Sequence, residues 1–78
     1  MIEPLSVGDR AINLTQVLKL AGWVGTGGEA KALIAGGRIR VNGEVESRKR
    51  RKMAVGDRVT MEAGPSLILV EKPPLPDV

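Results

Sequence analysis

The residues able to do chemistry are concentrated in one place. Arg48-Lys49-Arg50-Arg51-Lys52 are five consecutive cations in a chain with twelve Lys and Arg against nine Asp and Glu, a formal net charge of +3. Without that run the balance is seven against nine, so the rest of the chain is slightly acidic. A local concentration of positive charge attracts polyanions through the field it projects, and it speaks of partners rather than of fold. The nearest acids in sequence, Glu44 and Glu46, are too few to match the run, and the stretch just before them adds Arg38 and Arg40. Phosphate contact by Arg48, Lys49, Arg50, Arg51 and Lys52 is the expected chemistry, with Arg38 and Arg40 as secondary contributors. The bland alternative is a solvated loop, or a transport signal in a nucleated cell.

Catalysis finds poor material by comparison. The chain has no His and no Cys, which removes the hydrolytic triad, the thiol nucleophile, the disulfide and the usual nitrogen or sulfur metal site. Its carboxylates are dispersed, and each has a simpler structural reading. Glu29 suits a helix cap, Glu44 and Glu46 suit partners for Arg40 and Arg38 across a hairpin, and Asp57 beside Gly56 suits a turn. Gly27-Gly28 is followed by Glu29-Ala30-Lys31, without the earlier Gly and the Lys-Ser/Thr pair of a Walker phosphate loop. A non-enzyme with no cofactor, no metal and no small-molecule substrate is expected.

A second anion site is conceivable where Gly27-Gly28 open a helix. Free amides there face the positive end of the helix dipole, and Lys31 follows one turn in. Capping competes for those amides and Glu29 repels an anion, so the glycines alone read as structure before ligand.

These residues must be positioned by one small domain, since 78 residues leave little margin for a core. Residues 1–11 read as an N-terminal lead-in with at most a short strand near Ile12, residues 12–70 as the domain, and residues 71–78, with three prolines, as a disordered tail. Leu14, Val17, Leu18 and Ala21 fall at helical spacing and form one apolar stripe. Thr26-Gly27-Gly28-Glu29 has the spacing of a capping box for a second helix, with Ala30, Leu33 and Ile34 as its apolar face and Gly36-Gly37 as its stop. From Arg38 the period changes to two, with Ile39 and Val41 inward, and Asn42-Gly43 signals a hairpin. A three-residue loop would pair Ile39 with Val45, Arg40 with Glu44 and Arg38 with Glu46; it is preferred over a two-residue turn because it keeps one face apolar. Alternation returns at Val59 and Met61, and Gly64-Pro65 leads into a last apolar strand, Leu67 to Val70.

The absences narrow the nucleic acid. Single-strand binders stack bases on aromatic rings, yet this chain has no Phe, no Tyr and only Trp23, which follows an apolar helix and is expected to pack. The exposed face of the second helix, Glu29, Lys31, Ala32 and Ala35, lacks the Arg, Asn or Gln that reads DNA base edges. Recognition by charge and shape remains, which suits folded or double-helical RNA.

The segments Leu14 to Leu20, Thr26-Gly27-Gly28-Glu29-Ala30-Lys31, Ile34 with Gly36-Gly37, Ile39-Arg40-Val41-Asn42-Gly43, and Arg48-Lys49-Arg50 with Gly56-Asp57 together resemble the RNA-binding domain named after ribosomal small-subunit protein S-four. The resemblance covers residues 12 to 62 and is closest to the small stand-alone bacterial members. It implies an α-L motif, an α+β fold of two short helices packed on a small, mainly antiparallel sheet. The helix connection, the second helix and the hairpin would then share one RNA-facing surface. By position Lys31 matches the basic residue of the second helix. Many larger members carry Ser-Arg where this chain has Gly27-Gly28, so the weight of binding shifts toward residues 48–52.

Expected, then, is non-catalytic binding of structured RNA, ribosomal or transfer RNA, by a cytoplasmic monomer, with the ribosome as a possible partner. The N-terminus lacks the charged start and apolar stretch of a signal peptide. The rival is an adaptor that uses the basic loop on an acidic protein. Membrane-surface association needs an apolar anchor beside the charge, and Met53-Ala54-Val55 is a poor one.

Overall fold

Helix α1, Leu14–Leu20, starts where the sequence stripe starts and buries Leu14, Val17 and Leu18. Asn13 caps it through a reciprocal pair: its side chain accepts from the Gln16 amide at 2.9 Å, and the Gln16 side chain accepts from the Asn13 amide at 2.9 Å. Helix α2, Gly27–Ala35, buries Ala30 and Ile34 and takes a single cap bond, from the Glu29 amide to the Thr26 hydroxyl. Gly37, at φ +73°, turns the chain out of this helix in the left-handed region that glycine enters at little cost. These details come from a computed structural model that describes residues 2–8 and 11–71.

Strands β1 (Ile2–Ser6), β3 (Ile39–Val41), β4 (Glu44–Val45), β6 (Arg58–Met61) and β7 (Ser66–Val70) form a sheet in the order β1-β7-β6-β3-β4. Only β1 and β7 run parallel; the other neighbours are antiparallel. Two more short strands, β2 (Ile12–Asn13) and β5 (Lys52–Met53), pair antiparallel as a separate ribbon. The helices pack on each other, and their apolar side chains share one cluster with Ile39, Val41, Val59, Leu67 and Leu69 from one face of the sheet. Trp23 packs against this cluster, as its place in the sequence predicted. The α+β architecture of two short helices on a small, mainly antiparallel sheet is therefore present.

Two local expectations are corrected. The lead-in over residues 1–11 contains β1, whose pairing to β7 supplies the order that its aperiodic sequence did not show. The hairpin adopts the two-residue turn, with Val41 opposite Glu44 and Arg40 opposite Val45. Asn42 and Gly43 both take positive φ, 52° and 88°, the turn whose twist matches that of its strands. The mixed faces that argued against it cost little, because β4 is a two-residue edge strand with both residues exposed. The basic run itself ends in regular structure, since its last residue, the exposed Lys52, opens β5. Of the tail expected over 71–78, residues 72–78 lie outside the described residues.

Candidate nucleic-acid interface

The first amides of a helix have no partner within it. In α1 the Leu14 amide donates to the Arg51 carbonyl at 2.9 Å and the Thr15 amide to the Lys49 carbonyl at 3.2 Å, while Gln16 is served by Asn13. The Thr15 hydroxyl also donates to the Lys49 carbonyl, at 2.8 Å. The basic loop thus completes the N-terminus of α1 with its own backbone. Its carbonyls face the helix, and the side chains of Arg48, Lys49, Arg50 and Lys52 are exposed, with Arg51 half-buried.

Glu46 organises the loop from beneath. It is 7% exposed and follows the edge strand, with its amide donating to the Ile39 carbonyl at 3.0 Å. Its carboxylate accepts from the Ser47 amide at 3.1 Å, the Arg48 amide at 3.4 Å, Arg48 Nε at 3.3 Å, Arg48 Nη2 at 2.9 Å and Arg51 Nη1 at 3.4 Å. The Arg48 bond holds the acid below its ordinary 4.5 against the opposing effect of burial. Glu46 therefore pairs with Arg48 and Arg51 and not with Arg38, which corrects the pairing expected from the three-residue register. No ion pair joins Arg40 to Glu44 among the described residues.

Lys31 stands beside the loop. Its ammonium lowers the proton affinity of Lys49 by like-charge repulsion, with partial desolvation and Arg50 adding to the effect. The two cations are near enough to repel each other, and neither has a carboxylate among the described ion pairs. Arg48, Arg50, Arg51 and Lys52 line one open depression. Thr15 links this region to the start of α2: its Cγ2 lies 4.0 Å from where a Cβ on Gly27 would sit. A Cβ on Gly28 would meet only the Thr26 hydroxyl, at 3.8 Å. Packing therefore demands glycine at neither position.

The secondary candidates lie elsewhere. Arg38 lines a depression with Trp23, Glu29 and Met61, and Arg40 sits on the open side of the sheet between Val45 and Thr60. Neither shares a depression with the loop cations among the described residues. Asp57 is a turn residue, as expected: it accepts from the Ala54 amide at 2.8 Å and from Asn42 Nδ2 at 3.1 Å, while Asn42 Oδ1 accepts from the Arg58 amide at 2.9 Å. Sequence reasoning missed Glu46 as the loop's anchor and Asn13, Thr15 and Gln16 as its dock. The Asn13-x-x-Gln16 spacing is a capping signal that could have shown the last of these. Among the described residues no cluster of acids could hold a metal ion, and no helix is long and apolar enough to cross a membrane.

Two helices on a mainly antiparallel sheet, with a cationic loop capping the first helix, define a small α+β module of the S4 type. The S4 domain model matches residues 5–69, and the chain belongs to that family. Among its relatives, the "Putative RNA-binding protein YbcJ" of Escherichia coli K12 is 44% identical over 59 residues, which cover 76% of this chain and 83% of that protein. The "Probable ribosome maturation protein RlbA" of Bacillus subtilis is 40% identical over 62 residues, covering 80% and 87%. The solution structure of E. coli YbcJ, described as revealing an alpha-L motif involved in RNA-binding, superimposes with a TM-score of 0.69 at 39% identity, covering 90% of this chain and 89% of that one.

Proposed function

We propose that this protein is a non-catalytic binder of structured RNA, with Lys31, Lys49, Arg50 and Lys52 on phosphates and Arg48 and Arg51 shared between phosphate and Glu46. The observation that carries this reading is the exposed cationic loop itself, fixed to α1 through its Lys49 and Arg51 carbonyls and lining one depression with Arg48, Arg50, Arg51 and Lys52, with no ion pair to Lys49, Arg50 or Lys31 among the described residues. Like charges held together on a braced backbone cost free energy in the unliganded protein, and a polyanion relieves that cost. The amides at Gly27 and Gly28 border the same region and are open to a phosphate. Arg38 and Arg40 are peripheral in this reading. The names of the relatives support RNA as the partner, and that of RlbA favours ribosomal over transfer RNA. The reading places the protein in the cytoplasm and needs no second copy, cofactor or membrane.

The test is a salt titration of affinity for a folded ribosomal RNA fragment. With four or five phosphates neutralised, log affinity should fall against log salt with a slope of roughly −3 to −4. Duplex RNA should compete better than single-stranded RNA or DNA. A slope near zero would remove the phosphate reading. Binding to an acidic protein with no RNA competition would favour the adaptor instead.

A further inference from the structure

Two depressions beside α1 share Ala11, Ile12 and Gln16 and form one groove. It runs from Lys19 and Leu20 near the end of α1 to Arg50 and Lys52 of the basic loop. The Leu20 end has a volume of about 400 Å³. Ile12 is buried in its floor, whereas Leu20 is 46% exposed. Cations stand at both ends, and no carboxylate lines it among the described residues. Gln16 adds a directed polar group. Only its amide oxygen can accept from the Asn13 N–H, so the cap fixes which way the amide lies. Its NH2 is left as a donor with no partner among the described residues.

We propose that this groove receives one unpaired nucleotide of the bound RNA. The base lies on Ile12 and Leu20, an acceptor on its edge takes the Gln16 NH2, and the adjoining phosphate lies between Arg50 and Lys52. The inference rests on the RNA-binding reading and adds the local shape of the ligand to it. The faces of bases inside an A-form helix are covered by stacking, so only a nucleotide at a bulge, loop or end can be splayed into such a site. With Trp23 half-buried against the core and lining a different depression, an aliphatic floor replaces the usual aromatic platform here. An acidic amphipathic peptide would match the charge, but a helical peptide needs several anchor pockets in sequence, and this short floor with its fixed donor suits one planar ring.

The test compares a fully paired RNA hairpin with the same hairpin carrying one extra unpaired nucleotide in its stem. The protein should bind the interrupted hairpin roughly fivefold tighter, a preference below that of an aromatic stack. Leu20→Ser, at an exposed site that leaves charge unchanged, should erase the preference while keeping affinity for the paired hairpin within about twofold. Gln16→Glu keeps an oxygen for the Asn13 amide and removes the NH2, and should also shrink the ratio between the two hairpins. Equal, salt-dependent binding of both hairpins by the unaltered protein would overturn the groove assignment and leave RNA binding standing. A preference that survives Leu20→Ser would overturn it as well. Failure to bind either hairpin would sink both readings.

Discussion

Glu46 shows how one acid shapes a basic surface. Arg48 is largely exposed on its side of the pair while Glu46 is not, so solvent screens part of that ion pair and its share of stability is small. The amide bonds to Ser47 and Arg48 add to it, because they hold the loop in the shape that α1 needs. Glu46→Gln should lower stability by about 1–2 kcal/mol and free Arg48 and Arg51 for phosphate, steepening the salt slope by roughly 1 to 2. Chemical denaturation and the salt titration measure the two effects separately. The pH dependence has a definite sign. Since folding lowers the Glu46 pKa from 4.5, its contribution is complete above that value and is lost as pH falls through the lower folded value. The Gln variant should lack this part of the acid limb in a pH series of unfolding curves. The sequence revealed that Glu46 was an acid near the cations, but its partner depended on a register one residue away from the one preferred.

Helix α2 carries a cost at its start that its packing does not explain. Gly27 and Gly28 occupy helical positions where a Cβ would meet nothing closer than 3.8 Å, and glycine destabilises a helix relative to alanine by about 0.5–1 kcal/mol per site. Gly27→Ala and Gly28→Ala should therefore raise the melting temperature. If the bare amides admit a phosphate, each should also weaken RNA binding, and unchanged affinity would return the glycines to a purely local role. Elements of this kind were legible because periodicity reports burial directly: the Leu14, Val17, Leu18 stripe and the Ile39, Val41 alternation both face the core. The short strand expected near Ile12 is β2, but β1 and β5 were harder. Ile2–Ser6 contains Pro4 and alternates weakly, and Lys52–Met53 ends a charge run, so each takes its order from a distant partner rather than from its own pattern. The loop's placement was equally non-local, fixed by α1 amides that lie more than thirty residues before it.

At the scale of the whole molecule, the proposed binding surface and the strand that closes the sheet fall in different parts of the chain. The cations sit on a loop that closes α1, whereas β1 closes the far edge of the sheet by covering β7. Pro4 suits β1 because an edge strand can spare an amide. Strand β7, Ser66–Val70, is an apolar run that would itself become an edge without β1. Such an exposed, hydrophobic edge invites pairing between molecules. Removal of residues 1–6 should therefore lower the melting temperature and produce concentration-dependent association, visible by light scattering. The salt slope of RNA binding should stay the same for the fraction that remains monomeric, since Lys31 and residues 48–52 make no hydrogen bond to β1 among the described residues. A folded, monomeric truncation that no longer binds RNA would show instead that the N-terminal strand belongs to the interface, and the division between scaffold and surface would have to be redrawn.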